Sequence, residues 1–116
     1  MSKTEKVIPD KAALEKKIYS LLGLAKKAGR IGSGGFLTER SVKAFKAYLV
    51  IVASDSAENT KKKFKDSCSF YEVPYYEFGE KDVLGHSLGN EMRSCVAVND
   101  EGFAKSLIAL LEQLNN

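Results

Sequence analysis

Apolar residues recur at spacings of three and four along the first predicted helix, which is therefore amphipathic. Its apolar stripe consists of Leu14, Ile18, Leu21, Ala25 and Ala28. Asp10 is placed to cap the start of this helix, and Gly29 is placed to end it because glycine readily adopts the left-handed conformation. Residues 1–9 are mostly polar, and we expect them to form a flexible tail.

The segment from Tyr48 to Ala53, YLVIVA, is apolar without alternation and is too short for a typical helix. Such a run predicts a strand that is covered on both faces of a sheet. Other short strands are predicted at Ile31, from Tyr75 to Phe78 and from Cys95 to Val98.

Four further helices are predicted between and after these strands: at residues 36–46, from residue 55 past residue 68, at residues 81–88, and from residue 100 onward. Asp55 and Glu58 are spaced as a capping box for the third helix, and Asn99 with Asp100 is placed to cap the last. The alternation of helices and strands predicts an α/β protein, a three-layer α/β/α sandwich with a small mixed four-stranded sheet.

A glycine-rich turn, GRIGSGG at residues 29–35, precedes the second predicted helix. The first amides of a helix have no intrahelical acceptor and lie at the positive end of its dipole. We therefore expect the N–H groups of Gly34, Gly35 and Phe36 to bind phosphate or base edges, with Arg40 and Lys43 on the same side of the helix. The residues alone leave a second interpretation open, in which the glycines serve only the turn and Phe36 packs inward.

Basic residues are concentrated in the first part of the chain. Residues 1–65 contain fifteen Lys and Arg against six Asp and Glu, whereas residues 66–116 contain three against nine. This asymmetry favours a polyanionic partner such as a nucleic acid, and Lys26, Lys27 and Arg30 extend the positive field beside the glycine turn. The lysines at 61–65 are interpreted as a solvated helix face, because consecutive helical residues point in different directions.

The motifs of several enzyme classes are missing from the sequence. Where a nucleotide-binding P-loop requires Lys followed by Ser or Thr, the turn has Gly35 and Phe36, and Leu37 replaces the third glycine of a dinucleotide-binding motif. The single histidine, His86, has no second ligand at a metal-binding spacing. We expect no catalytic residue, no metal and no cofactor.

The length of the chain, its cysteine spacing and its lack of long apolar runs determine the remaining expectations. At 116 residues the chain is predicted to form one domain. Cys68 and Cys95 lack a CxxC spacing and are interpreted as reduced thiols. The chain shows no signal-peptide pattern and no run approaching the ~18 apolar residues of a membrane span. A cytoplasmic protein with no membrane partner is expected, and the oligomeric state is left open.

Five segments together resemble a known family: LLGLAKKAGRIGSG (residues 21–34), AYLVIVASDSAENTKKK (47–63), VPYYEF (73–78), LGHSLG (84–89) and RSCVAVNDEGFA (93–104). The chain resembles the ribosomal protein L-seven-Ae superfamily of kink-turn RNA-binding proteins, and most closely its small bacterial YlxQ-type members. The resemblance extends from Ile18 to Leu111 and implies the three-layer α/β/α fold.

The resemblance also implies a set of RNA-binding positions. The family glycine falls on Gly34, the Asn-Glu pair that engages sheared G·A pairs falls on Phe36 and Leu37, and the following Lys falls on Arg40. A loop that closes over a flipped-out nucleotide falls on Gly89, Asn90, Glu91, Met92 and Arg93. The resemblance thus implies a non-enzymatic, ribosome-associated RNA-binding protein whose glycine turn and basic helix contact kinked or irregular RNA.

Phe36 and Leu37 depart from the family pattern, because neither side chain has a polar atom to contact a base edge. Phosphate binding through Gly34, Gly35 and Arg40 is expected to persist. The alternative is a protein-interaction module that keeps the fold and exposes Phe36, Leu37 and Met92 as an apolar patch. An enzymatic role would require catalysis by an added partner.

Overall fold

The structure, a computed structural model that describes residues 10–116, alternates between helices and strands; the tail predicted for residues 1–9 lies outside that range. The elements in chain order are α1 (Lys11–Lys27), β1 (Ile31–Ser33), α2 (Gly35–Lys43), β2 (Leu49–Val52), α3 (Glu58–Tyr71), β3 (Tyr75–Glu77), α4 (Lys81–Ser87), β4 (Cys95–Val98) and α5 (Glu101–Asn115). No helix within the described range is long and apolar enough to cross a membrane.

The four strands form one mixed sheet in the order β1-β4-β2-β3. β2 and β3 are parallel, while β4 is antiparallel to both β1 and β2. β4 therefore lies between the first two strands of the chain and brings the segment that precedes it next to the end of β1. The predicted mixed four-stranded sheet is confirmed.

The sheet is covered on both faces, as the unalternating run in β2 predicts. Leu49 and Ile51 pack into the core on one face, with residues of α1, α4 and α5. Val50 and Val52 pack into the core on the other face, with Val42 of α2 and residues of α3. The three-layer α/β/α sandwich is therefore confirmed.

Helix α2 ends at Lys43, so the predicted end at Lys46 is wrong. Phe45 adopts the left-handed conformation with φ of 59°, which stops the helix. Its ring lies edge-on to that of Tyr71, with 5.4 Å between the ring centroids. Because non-glycine residues rarely take this conformation, the sequence gives no signal for the early end.

The predicted capping box of Asp55 and Glu58 is also wrong. α3 begins at Glu58 after Ala57, with no side-chain capping bond. Asp55 instead accepts a hydrogen bond from the Lys81 N–H at 2.9 Å, and so supplies an acceptor for a free amide at the start of α4. This tertiary partner lies 26 residues away in the sequence, beyond the reach of a local motif.

The predicted cap of the last helix is confirmed at Asp100, which accepts a hydrogen bond from the Phe103 N–H at 2.8 Å. Asp10 occupies the same position at the start of α1, but its side chain makes no capping bond. The two aspartates therefore differ in what they contribute to stability.

We expect Asp100→Ala to lower the free energy of unfolding by about 1 kcal/mol, because it removes the acceptor of a helix N-terminal amide. Asp10→Ala is the matched control and is expected to change this free energy by less than about 0.5 kcal/mol. Urea denaturation of both variants measures the difference. Equal losses would contradict the assignment of the cap to Asp100.

Candidate functional site

The glycine turn leads from β1 directly into α2, and the pairing of β1 with β4 sets its geometry. Gly34 has φ of 89°, a conformation that favours glycine. Its N–H donates to the carbonyl oxygen of Cys95 at 2.9 Å, which continues the β1–β4 ladder by one residue. The expectation that the Gly34 amide is free is therefore wrong.

The free amides of the turn belong to Gly35, Phe36 and Leu37. The first hydrogen bond of α2 runs from the Thr38 N–H to the Gly34 carbonyl oxygen at 3.0 Å, and no described residue accepts a bond from the three amides between them. The first turn of α2 also contains no acidic residue. Unpaired amides at the positive end of a helix dipole are suited to accept an anion. We refer to these three amides as the helix mouth.

The segment from Gly89 to Arg93 meets the glycine turn at Arg93. Arg93 donates from Nε to the Ser33 hydroxyl at 3.3 Å and from one terminal nitrogen to its neighbour's carbonyl oxygen, that of Met92, at 2.9 Å. The side chain passes close to Gly34, since a Cβ on that glycine would lie 3.8 Å from Cδ of Arg93. The turn and the loop therefore form one surface.

Gly85 holds this loop in place, which the sequence analysis missed. A Cβ at Gly85 would overlap the carbonyl oxygen of Glu91, so only glycine allows the loop to pack this closely against α4. The Asn90 N–H also donates to the Gly85 carbonyl oxygen at 2.9 Å. The first of the two glycines in LGHSLG was the available signal, but sequence alone does not show whether a glycine inside a helix serves a close approach between segments.

Apolar side chains project from the surface around the helix mouth. Phe36 is 75% exposed, Leu37 45% and Met92 57%. The interpretation in which Phe36 packs inward is therefore wrong. Large apolar groups exposed beside unpaired donors are typical of a surface that contacts a partner.

The two cations of α2 differ in their surroundings. Lys43 forms an ion pair with Glu39 at 3.0 Å, and Glu39 also contacts Lys63 at 3.1 Å. Hydrogen bonds from these two lysines lower the pKa of Glu39, and the bond with Glu39 raises the pKa of Lys43. Arg40 is exposed and makes no ion pair with any described residue. Arg40 is therefore the less neutralised charge for an incoming anion.

The three cations expected to extend the positive field lie near the end of α1. Lys26 and Lys27 occupy its last turn, and Lys27 borders a depression beside His86 of α4. Arg30 precedes β1, with its Nε 4.0 Å from a carboxylate oxygen of Asp100. Arg30 thus lies before the start of β1, whereas the helix mouth follows the end of that strand.

The chain matches a family model over residues 16–108, described as the Ribosomal protein L7Ae/L30e/S12e/Gadd45 family. The protein belongs to this family. It is 44% identical over 94 residues to "RNA-binding protein YlxQ" of Bacillus subtilis (strain 168), which covers 81% of this chain and 94% of that relative. It is 41% identical over 96 residues to the protein of the same name from Enterococcus faecium. This match covers 83% of this chain and 92% of that relative.

Solved structures share this L7Ae-type fold. A protein with unknown function from Bacillus halodurans C has a TM-score of 0.80 and 36% identity, with 83% of this chain and 97% of that chain covered. The Giardia lamblia 15.5kD RNA binding protein has a TM-score of 0.73 at 22% identity. This match covers 87% of this chain and 89% of that chain. The second likeness supports the fold alone.

The remaining reactive side chains of this L7Ae-family protein are buried or dispersed. Cys68 and Cys95 are both free and buried, and burial raises the pKa of Cys68 to about 11 and also raises that of Cys95. Both are therefore protonated thiols at neutral pH. Within residues 10–116, no three His, Cys, Asp or Glu side chains are grouped to hold a metal ion.

We expect Gly85→Ala to displace the loop from the helix mouth, because the added methyl group overlaps the Glu91 carbonyl oxygen. The free energy of unfolding should fall by about 1–3 kcal/mol, as in other overpacked sites. Amide chemical shifts of residues 89–93 report the displacement. Gly35→Ala is the control, since a Cβ there meets open space; it should leave these shifts unchanged. Unchanged shifts in the Gly85 variant would contradict the packing role.

Proposed function

We propose that this protein is a non-enzymatic, ribosome-associated RNA-binding protein of the cytoplasm that docks on kinked or irregular RNA. The observation that carries the proposal is the group of three unpaired amides at the start of α2, which faces outward beside Phe36 and Arg40. Family membership supports it, as do the relatives that are named RNA-binding proteins.

In this proposal the helix mouth binds a phosphate of the RNA backbone. The amides of Gly35, Phe36 and Leu37 donate to phosphate oxygens at the positive end of the helix dipole. Arg40 lies one helical turn further along on the side of Phe36 and grips a phosphate through its planar guanidinium group. Such contacts position the RNA without reading its sequence.

Phe36 supplies the contact to bases. An exposed phenyl ring stacks on any unpaired base, because every base has a π-face. Phe36 and Leu37 have no side-chain polar atoms for the edges of G·A pairs, so we infer that RNA shape and unpaired bases contribute more to recognition than hydrogen bonds to base edges. The loop from Gly89 to Arg93 forms the second wall of the surface.

The test compares low-salt affinity for a kink-turn RNA with affinity for the same RNA whose G·A pairs are changed to Watson-Crick pairs. We expect the kink-turn to bind at least about tenfold tighter, a difference of about 1.4 kcal/mol, because only the bent backbone follows the surface. Arg40→Ala should weaken binding to both RNAs about tenfold and reduce the salt slope by about 0.7–0.9.

Lys43→Ala is the matched control for that variant, since Lys43 lies on the same helix and is already paired with Glu39. Its effect should be several-fold smaller than that of Arg40→Ala. Absence of binding at low salt, or equal affinity for the two RNAs, would refute docking on kinked RNA.

A second candidate is a protein-interaction module, which the joint exposure of Phe36, Leu37 and Met92 favours. An aliphatic side chain can replace Phe36 in an apolar contact with a protein but cannot stack on a base. The two functions therefore differ in what they require at position 36.

We expect Phe36→Leu to weaken RNA binding at least about fivefold, because stacking on a base contributes about 1–3 kcal/mol. Phe36→Tyr keeps the aromatic ring and should bind within about twofold of the wild type. Fluorescence anisotropy with a labelled kink-turn RNA measures both variants. Wild-type affinity in the Leu variant would reject stacking and favour the protein-interaction module.

A further inference from the structure

A groove of about 240 Å³ lies between α2 and the edge strand β1, next to the helix mouth. Its polar lining comes from Gly32, Arg40, Ser41, Lys46 and Asn99. Lys46 lies just beyond the end of α2, where its N–H donates to the Ser41 carbonyl oxygen at 2.9 Å. The early stop of α2 at Phe45 thus places Lys46 at the groove instead of on a continued helix.

The groove contains two cations and no carboxylate. Arg40 and Lys46 are both exposed, and neither makes an ion pair with a described residue. On the neighbouring surface, by contrast, Lys43 and Lys63 share the carboxylate of Glu39. Two unopposed cations beside neutral polar groups create a local attraction for an anion.

The side chains beneath these cations are polar and only partly satisfied. Asn99 donates from Nδ2 to the Ser41 hydroxyl at 3.0 Å, so that hydroxyl keeps its own proton to donate. The Asn99 Oδ1 atom is buried and accepts no hydrogen bond from any described residue. A phosphodiester has no proton to donate to this atom, so the groups that the groove offers to a phosphate are the Ser41 hydroxyl and the two cations.

The position of the groove favours a phosphodiester of a strand that is already bound at the mouth. Leu37 belongs to the mouth and also lines the groove, which Arg40 lines as well, further along the helix. At a rise of 1.5 Å per residue, Arg40 lies about 8 Å along the helix from Gly35. The mouth and the groove are therefore two separate positions on one continuous path.

We propose that the groove lined by Arg40, Ser41, Lys46 and Asn99 is a second phosphate subsite for the RNA that docks at the helix mouth. The inference rests on the proposed RNA-binding function and extends it, because it assigns a role to Lys46 and to the Ser41 hydroxyl, which the Asn99 side chain orients. Arg40 and Lys46 neutralise the phosphate, and the Ser41 hydroxyl donates to one of its oxygens.

The test measures the affinity of Lys46→Gln for the kink-turn RNA across a series of salt concentrations. We expect about a three- to tenfold loss at low salt and a salt slope reduced by about 0.7–0.9, since one phosphate contact is removed. Lys62→Gln is the matched control, because Lys62 is an exposed lysine of α3 paired with Asp66 at 3.0 Å. It removes the same charge and should change affinity less than about twofold.

Asn99→Asp provides a second variant that changes charge without changing size. The carboxylate should repel phosphate in the groove and weaken RNA binding at least as much as Lys46→Gln, with the circular dichroism spectrum unchanged. If Arg40→Ala weakens binding while Lys46→Gln matches Lys62→Gln, the groove is not a subsite and the proposed function stands. If the wild-type protein binds no RNA at low salt, both proposals are overturned.

Discussion

The antiparallel pairing of β1 with β4 is the constraint on which the candidate site depends. Its last hydrogen bond joins the Gly34 N–H to the Cys95 carbonyl oxygen, so the start of α2 is fixed against the residues that precede β4. Arg93 lies two residues before Cys95 and contacts Ser33 across the same junction. A ladder between strands more than sixty residues apart thereby brings two loops into one rigid surface.

Because of this pairing, the Gly34 N–H is not available to a ligand, but the start of α2 is held in a fixed position. The Gly34 N–H serves the sheet, and the three amides after it remain available to a ligand. A helix start on a flexible loop would have to be ordered at each binding event, at an entropic cost of about 1–2 kcal/mol per residue. Here that cost is met on folding, because β1 and the sheet already hold the turn.

Much of the fold follows from local pattern, whereas the finer features of the site arise from tertiary contacts. The unalternating run in β2 predicts a strand buried on both faces, and the layers follow from the alternation of elements. The left-handed Phe45, the Asp55 cap of α4 and the packing of Gly85 against Glu91 each involve a partner or conformation that no local pattern contains. The family resemblance singled out residues 89–93, and the structure places Arg93 of that segment against the turn, a contact that periodicity does not indicate.

The charge of the basic half is distributed less evenly than its sequence implies. Glu39 lies between Lys43 and Lys63 and neutralises both in part, whereas Arg40, one residue further along α2, remains unopposed. Spacing on a helix identifies which cations lie on the same side. Their tertiary neighbours decide which of these cations are neutralised by a carboxylate and which are not. A single carboxylate thus makes Lys43 and Lys63 weaker attractors for an anion than Arg40, although all three are basic residues of the same half of the chain.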